Sequence, residues 1–318
     1  MKIGRGSTAE ATERYDRLRP WTRKEQILVD PSEIPADLPV LIAGPTASGK
    51  SAFALRIAQA QGRVIVNADA LQVWSCWRVL SARPTIAEEA LAPHLLFGHR
   101  APDQNYSVGH WLREIADVLP RHPAPVIVGG TGLYLSALTE GLADIPPVPA
   151  EVRATADRRL ALEGADILLA ELDAATRNRI DQANPARIQR AWEVLRSTGR
   201  GLADWQADTG PALLPAGSAT LLRLDCDRDW LAERIDRRFD LMLEQGALDE
   251  VRAILPIWHP GALWAKAIGA PELVAYMQGR TALEDAISAA KAASRQYAKR
   301  QRTWLRRRMG GWRGVISA

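Results

Sequence analysis

The segment Gly44-Pro45-Thr46-Ala47-Ser48-Gly49-Lys50-Ser51 has the glycines, the lysine and the hydroxyl of a phosphate-binding loop at the required spacing. Glycines let successive backbone N–H groups converge on an anion, and the N-terminus of a following helix adds partial positive charge. We expect Lys50 to neutralise pyrophosphate oxygens and the Ser51 hydroxyl to bind Mg²⁺ as cofactor. The alternative is an ordinary strand-to-helix turn, but the flanking residues favour a phosphate or pyrophosphate site.

Those flanking residues predict a strand before the loop and a helix after it. Residues 39–43 form a short apolar run, and the helical pattern after the loop ends near Gly62. A second apolar run, 63–69, ends in Asp69. Because side chains at the carboxyl ends of parallel strands face the ligand crevice, we expect Asp69 to lie in the active site. The alternative role for Asp69 is to cap a following helix.

Further strands and helices predict an α/β fold with a parallel-sheet core that contains the phosphate loop. A third strand, 125–129, breaks into the glycine turn 129–132, and a helix is expected over 107–119 with Ser107 as its cap. After a helical insertion domain, the sheet resumes at 220–224. Two helices then follow, from about Trp230 and over about 281–309.

Proline- and glycine-bearing connectors divide the chain into domains. We expect an N-terminal extension over 1–38, an α/β core formed by 39–144 and 216–318, and a helical insertion domain over 145–215.

Composition indicates a globular protein that acts in a reducing cytoplasm. Hydrophobic residues make up 47% and charged residues 25% of the 318 positions, and no apolar run reaches membrane-spanning length. The first twenty residues lack the apolar centre of a secretory signal. The 2 cysteines form no CxxC pair, and the 5 histidines show no metal-binding spacing. The net charge is only +4, but the pI near 9.3 and the distribution of arginines leave a nucleic-acid partner open.

Four separated stretches resemble the signature segments of the tRNA dimethylallyltransferase family, namely 67–74, 129–134, 234–243 and 295–305. The resemblance extends from about residue 39 to residue 313. It implies a monomeric enzyme without a membrane anchor. This enzyme transfers a dimethylallyl group from dimethylallyl pyrophosphate to the N6 amine of the adenosine 3′ of the tRNA anticodon, and it releases pyrophosphate.

The resemblance also implies three catalytic residues. An adenine amine is a poor nucleophile, and a carboxylate that accepts its proton as the new bond forms would compensate; the family uses the residue matching Asp69 in this way. Thr131 and Arg238 match residues that reach the pyrophosphate. Alternatively, Thr131 only shapes the glycine turn, and Arg238 forms a surface ion pair with Asp236 or Asp240.

Binding of tRNA by the insertion is a further implication of the resemblance. Arginines that contact phosphates or stack on bases suit single-stranded RNA loops such as the anticodon loop. A solvated helix face remains the alternative for each of them. The implied tRNA-binding residues are Asp69, Ala70, Leu71, Gln72, Arg153, Ala186, Arg187, Ile188, Gln189, Arg190 and Lys266.

The sequence departs from the family pattern at several positions. Ala70 stands where the family has serine, Trp74 where tyrosine is usual, and Ala270-Pro271 where an aromatic residue and a cation are usual. Two other functions therefore stay open. One is a small-molecule or nucleoside kinase with the same loop, and the other is a diverged, non-catalytic RNA-binding relative.

Overall fold

The computed structural model describes residues 29–317. In this part of the chain six strands form one sheet, and all neighbouring strands are parallel. Their order is β3-β2-β4-β1-β5-β6. The predicted α/β core with a parallel sheet is therefore confirmed. The strands are β1 (Val40–Ala43), β2 (Ile65–Asn67), β3 (His94–Leu95), β4 (Val126–Gly129), β5 (Thr220–Cys226) and β6 (Arg313–Ser317).

Thirteen α-helices connect and flank the strands within residues 29–317. Several begin and end where the sequence predicts: Ser107 caps one helix, and Gly62, at φ 66°, ends another. The helices are α1 (Lys50–Gln61), α2 (Ile86–Glu89), α3 (Val108–Val118), α4 (Gly132–Glu140), α5 (Ala150–Glu163), α6 (Ala165–Ala170), α7 (Ala174–Arg179), α8 (Pro185–Thr198), α9 (Leu202–Ala207), α10 (Arg228–Glu244), α11 (Ala247–Ile254), α12 (Ala270–Met277) and α13 (Leu283–Arg308).

The chain divides into two compact units. The first ends at Ser136 and resumes at Ala216, and the second is Ala137–Pro215. The second unit thus begins before residue 145, the predicted start of the insertion. The backbone N–H of Leu214 donates to the Leu138 carbonyl (3.0 Å), which ties the end of this unit to the second half of α4. Its own core is formed by Ala156, Leu168, Leu172, Ile188, Ala191 and Trp192.

Residues 29–38 of the predicted N-terminal extension pack on the first unit. Val29 and Ile34 are buried in its main apolar cluster. The Gln61 side-chain amide donates to the carbonyls of Pro31 (2.8 Å) and Ile34 (2.9 Å), which fixes this segment against α1. Residues 1–28, the rest of the predicted extension, lie outside the described part of the chain.

The sheet brings the ends of β1, β2 and β4 together. These strands are neighbours, and each is completely buried, as expected for parallel strands covered on both faces. The phosphate loop, Asp69 and Thr131 follow these three strands, so all three share one edge of the sheet. Within residues 29–317, no helix combines the length and the apolar composition needed to cross a membrane.

Gly129 allows β4 to lie close to the segment after β2, and we expect Gly129→Ala to destabilise the protein. A Cβ at this position would lie 2.0 Å from the carbonyl oxygen of Ala68, where the backbone cannot yield easily. Overpacking of this kind costs about 1–3 kcal/mol. The measurement is the free energy of unfolding in urea, with Gly311→Ala as control because no atom lies within 4 Å of a Cβ there. Equal stability of the two variants would contradict the close approach.

Candidate active site

The phosphate loop between β1 and α1 has the backbone conformation of an anion-binding turn. Ala47 (φ 63°) and Gly49 (φ 83°) both adopt left-handed conformations. Gly49 provides no side-chain cap for α1, so the first N–H groups of this helix stay available for an anion. Gly44 is required for a different reason: a Cβ there would lie 2.7 Å from the buried Ser48 Oγ.

Side chains from α10 and α13 hold the loop in place. The Thr46 N–H donates to Gln301 Oε1 (2.8 Å), and Gln301 Nε2 donates to the Gly130 carbonyl (2.9 Å). Arg234 Nε donates to the Ala47 carbonyl (2.9 Å). Neither Gln301 nor Arg234 was predicted from the sequence as a site residue. The available signal for Arg234 is its position one turn before Arg238 on the same face of a helix.

Two of the predicted cations, Lys50 and Arg238, converge on the loop. Lys50 Nζ donates to the Pro45 carbonyl (3.3 Å). Burial lowers the pKa of Lys50 to about 8, although the nearby Asp69 carboxylate opposes this effect. Arg238 Nη2 donates to Thr46 Oγ1 (2.5 Å). Desolvation and the charge of Arg234 lower the pKa of Arg238 to about 10. Because these positive charges are poorly solvated, an anionic ligand would stabilise them.

Asp69 faces the same cations and does not cap a helix. It is only 9% exposed, and no helix follows it, because residues 70–73 form bends and turns. Its Oδ1 accepts the Leu71 N–H (3.0 Å), and its own N–H donates to Asn67 Oδ1 (2.8 Å). Oδ2 accepts no hydrogen bond from residues 29–317. One carboxylate oxygen therefore fixes the local turn, and the other remains available to accept a proton.

The Thr131 side chain lies beside Asp69 because it binds the backbone of the next residue, Ala70. Its Oγ1 accepts the Ala70 N–H (2.9 Å) and thereby joins the turn after β4 to the turn after β2. The Tyr297 side chain of α13 lies near this turn. Burial, and then the negative charge of Asp69, raise the pKa of Tyr297, so this phenol is neutral at physiological pH. Thr131 therefore helps to shape the turn and also lies next to the predicted base.

One cavity contains most of the predicted catalytic residues. Its lining combines a polar group of side chains, which includes the cations and Asp69, with an apolar group from α10 and nearby loops. The polar group includes Thr46, Lys50, Ser51, Asp69 and Arg238. The apolar group consists of Leu71, Leu80, Ile235, Phe239, Met242 and Ile268. Such a cavity suits a ligand with an anionic head and a short hydrocarbon tail.

A carboxylate from α11 anchors one wall of this cavity. Glu250 accepts three successive backbone N–H groups, from Arg78 (2.6 Å), Val79 (2.7 Å) and Leu80 (3.0 Å). From the other side, Gln72 Nε2 donates to the carbonyls of Ser81 and Ala82, both at 2.9 Å. These hydrogen bonds therefore fix the segment 78–82, although it contains no regular helix or strand. Glu250 was not predicted from the sequence, because no motif includes it.

The predicted tRNA-binding residues of the second unit differ in exposure. Ala186, Arg187 and Arg190 on α8 and Arg153 on α5 are exposed. Partial desolvation lowers the pKa of Arg190, Glu193 opposes this shift, and the positive charge of Arg153 adds to it. Arg190 Nη1 lies 3.8 Å from Glu193 Oε2. The side chain of Gln189 donates to Asp157 (2.6 Å) and Glu193 (3.0 Å).

Ile188 corrects the prediction for this segment. It is 1% exposed and belongs to the apolar core of the second unit. Its side chain therefore cannot contact RNA; it instead fixes the helix face that carries Arg187 and Arg190. In the first unit, the predicted contact Lys266 is exposed on a short 3-10 helix, Trp264–Lys266, whereas Ala70 and Leu71 are half-buried beside the cavity.

The depressed pKa of Lys50 predicts a pH-dependent anion affinity. The charged amine contributes below about pH 8 and is lost as the pH rises through this value. A charge-assisted hydrogen bond contributes about 1.5–3 kcal/mol, so Lys50→Ala should weaken pyrophosphate binding roughly 10- to 100-fold at pH 7. The measurement is the Kd of inorganic pyrophosphate for parent and variant from pH 7 to 10. Their ratio should shrink above about pH 8, and a constant ratio would contradict this assignment.

Comparison with known proteins identifies the family. The family model for IPP transferase matches residues 72–308, and the model for isopentenyl transferase matches residues 39–92. The chain is 64% identical over 288 residues to a tRNA dimethylallyltransferase of Cereibacter sphaeroides, with 91% of this chain and 92% of the relative covered. It is 60% identical to the one of Paracoccus denitrificans, with 89% and 96% covered.

A solved structure agrees with this assignment. The crystal structure of a tRNA isopentenylpyrophosphate transferase from Bacillus halodurans is 28% identical to this chain and superimposes with a TM-score of 0.60. The match covers 85% of this chain and 87% of that structure. The loop, the cavity and the four signature stretches thus occur in a chain that belongs to the tRNA dimethylallyltransferase family.

Proposed function

We propose that this protein transfers a dimethylallyl group from dimethylallyl pyrophosphate to the N6 amine of the adenosine 3′ of the anticodon in tRNA. The observation that carries the proposal is the single cavity whose lining combines cations, apolar side chains and the Asp69 carboxylate. The pyrophosphate would bind the loop, and the five-carbon group would lie toward Leu80, Phe239 and Met242. Membership of the family supports this assignment over that of a kinase.

The reaction needs one bond to form and one to break. The adenine N6 lone pair attacks C1 of the dimethylallyl group, and the C1–O bond breaks with its electron pair leaving on pyrophosphate. Asp69 Oδ2 accepts the N6 proton as the new C–N bond forms. Lys50, Arg238 and the N-terminus of α1 stabilise the negative charge that develops on the leaving group.

Mg²⁺ fits the residues at this site. Mg²⁺ is usually held by one or two protein oxygens together with substrate phosphates and waters. Ser51 is exposed, lines the cavity and offers a hydroxyl oxygen. Within residues 29–317 no group of three or more His, Cys, Asp or Glu side chains forms a metal cage, which is the arrangement expected for a cation shared with a substrate. Ser51 would hold Mg²⁺, which when bound neutralises pyrophosphate charge.

Recognition of the anticodon loop is proposed for the exposed arginines of the second unit. Arg153 and Arg190 are exposed cations on α5 and α8, and the charge of Arg153 disfavours the charged form of Arg190, so an RNA phosphate beside them would offset this repulsion. Arg187 is exposed on the same helix as Arg190 and could contact the next nucleotide. In the first unit, the exposed Lys266 is the further proposed RNA contact.

Glu250 is a positioning residue for the donor, because Leu80, which it anchors, belongs to the apolar group of the cavity lining. In Glu250→Gln the amide NH₂ group cannot accept a backbone N–H, so at least one of the three hydrogen bonds is lost. We expect the KM for dimethylallyl pyrophosphate to rise roughly 10-fold, equivalent to about 1.5 kcal/mol, with a smaller change in kcat.

The control for Glu250 is Asp249→Asn, which changes the adjacent, exposed carboxylate that pairs with Arg252. The Kd of inorganic pyrophosphate should stay at the parental value in both variants, because this ligand has no tail to contact Leu80. An equal loss of pyrophosphate affinity in Glu250→Gln would show general disruption of the site and would contradict a positioning role.

Asp69→Asn tests the proposed function directly. The amide keeps the shape of the side chain and its hydrogen bond to the Leu71 N–H but cannot accept the N6 proton. Because a general base contributes about 10²- to 10⁴-fold, kcat for transfer to an anticodon stem-loop RNA should fall by that factor. The affinities for RNA and dimethylallyl pyrophosphate should change little. Near-parental turnover would exclude Asp69 as the base, and absence of transfer by the parent would contradict the proposed function.

A further inference from the structure

A second cavity borders the phosphate loop and has no role in the proposed reaction. It measures about 290 Å³ and is lined by Arg223–Cys226 of β5, by Arg302, Leu305 and Arg306 of α13, and by Pro45 of the loop. The substrate cavity instead borders the loop at Thr46, Lys50 and Ser51, and the two cavities share no lining residue. We call the second one the arginine cavity.

The charges of the arginine cavity do not cancel. Arg223 is neutralised locally, because its guanidinium donates to Asp225 (2.8 Å) and to the Met309 carbonyl (2.8 Å). The guanidinium groups of Arg302 (half-buried) and Arg306 (exposed), one helical turn apart, form no hydrogen bond or ion pair with any residue of the described range 29–317. Burial raises the pKa of Cys226 to about 11, so its thiol is neutral. The lining therefore carries three arginines and one aspartate, which leaves the cavity with a net positive charge.

Carboxylates near the cavity are already engaged. Asp225 pairs with Arg223, as described above. Asp227, whose pKa the charge of Arg302 helps to lower, uses Oδ1 to accept the N–H groups of Asp229 (2.8 Å) and Trp230 (2.9 Å) at the start of α10. Neither carboxylate forms an ion pair with Arg302 or Arg306, although the charge of Asp227 offsets part of that of Arg302.

We propose that the arginine cavity binds a phosphate group, at a site separate from the phosphate loop. Two guanidinium groups provide planar, always charged donors that match phosphate oxygens. The loop contributes only Pro45 here, which has no N–H to donate, so the arginines supply the anion contacts. The phosphate comes from the RNA backbone or from a free phosphate anion, and only the RNA source depends on the proposed function.

Cys226 provides a direct reporter, because it lines the cavity and is one of 2 cysteines. In a Cys76→Ser background, alkylation of Cys226 by iodoacetamide is measured with and without inorganic phosphate, and with and without anticodon stem-loop RNA. We expect at least one of these probes to slow alkylation several-fold. The protection should disappear in the double variant Arg302→Gln/Arg306→Gln. It should persist in the control Arg307→Gln, an exposed arginine on the same helix that does not line the cavity.

The outcomes distinguish the two possible sources of the phosphate from each other and from failure of the proposal. Protection by RNA alone assigns the site to the tRNA backbone, and protection by inorganic phosphate alone assigns it to a free anion. Protection that survives in the double variant, that is lost in Lys50→Ala, or that neither probe produces would overturn the proposal. Transfer activity is assayed separately, so loss of the proposed function with intact protection would leave the arginine cavity standing.

Discussion

The active site depends on a single neutral side chain that joins two glycine turns. Gln301 accepts the Thr46 N–H and donates to the Gly130 carbonyl, and it is only 6% exposed. A primary amide suits this position because it supplies a donor and an acceptor without adding charge. Another buried charge beside Lys50 and Asp69 would require its own partner. With this bridge, the phosphate loop and the turn that carries Thr131 hold a fixed separation.

Near this bridge, the cations Lys50 and Arg238 lie in a poorly hydrated environment. Burial lowers the pKa of both Lys50 and Arg238, and Asp69 is the carboxylate that opposes the shift in each case. The same carboxylate has a second task, since its Oδ1 fixes the turn at Leu71. A pyrophosphate ligand would take over the neutralisation of the cations. Asp69 Oδ2 would then be free to act on the incoming amine.

Local patterns in the sequence predicted the phosphate loop and the position of Asp69 at a strand end, whereas the roles of Thr131 and Arg238 were implied by the resemblance to the family. The loop, Asp69 and Thr131 each follow a buried strand, and parallel strands bring their carboxyl ends to one edge. The partners that hold these parts could not be predicted in the same way. Gln301 is 255 residues from Thr46, and Glu250 is 170 residues from Leu80. No local periodicity encodes such pairs.

Other differences between prediction and structure have local causes. The two residues of β3 are too few to show a strand period, and β6 begins with Arg313 and Gly314, which resemble a polar chain end. Ile188 lies within a basic segment, but the helical period places its side chain in a core. The segment 186–190 therefore cannot contact RNA with all five side chains, because only some positions of a helix can face one partner.

The residues that hold the phosphate loop and its neighbouring turns come from a later part of the chain than the loop itself. The strands that carry the loop, Asp69 and Thr131 end by residue 129, whereas Arg234, Glu250 and Gln301 all come from helices after residue 227. Ala47, in a left-handed conformation, packs against Leu231, Ile235 and Ala298 of these later helices. A strained loop residue persists only where its surroundings fix it. The conformation of the phosphate loop therefore depends on its contacts with α10 and α13, and we expect an anion that binds the loop to stabilise the folded first unit.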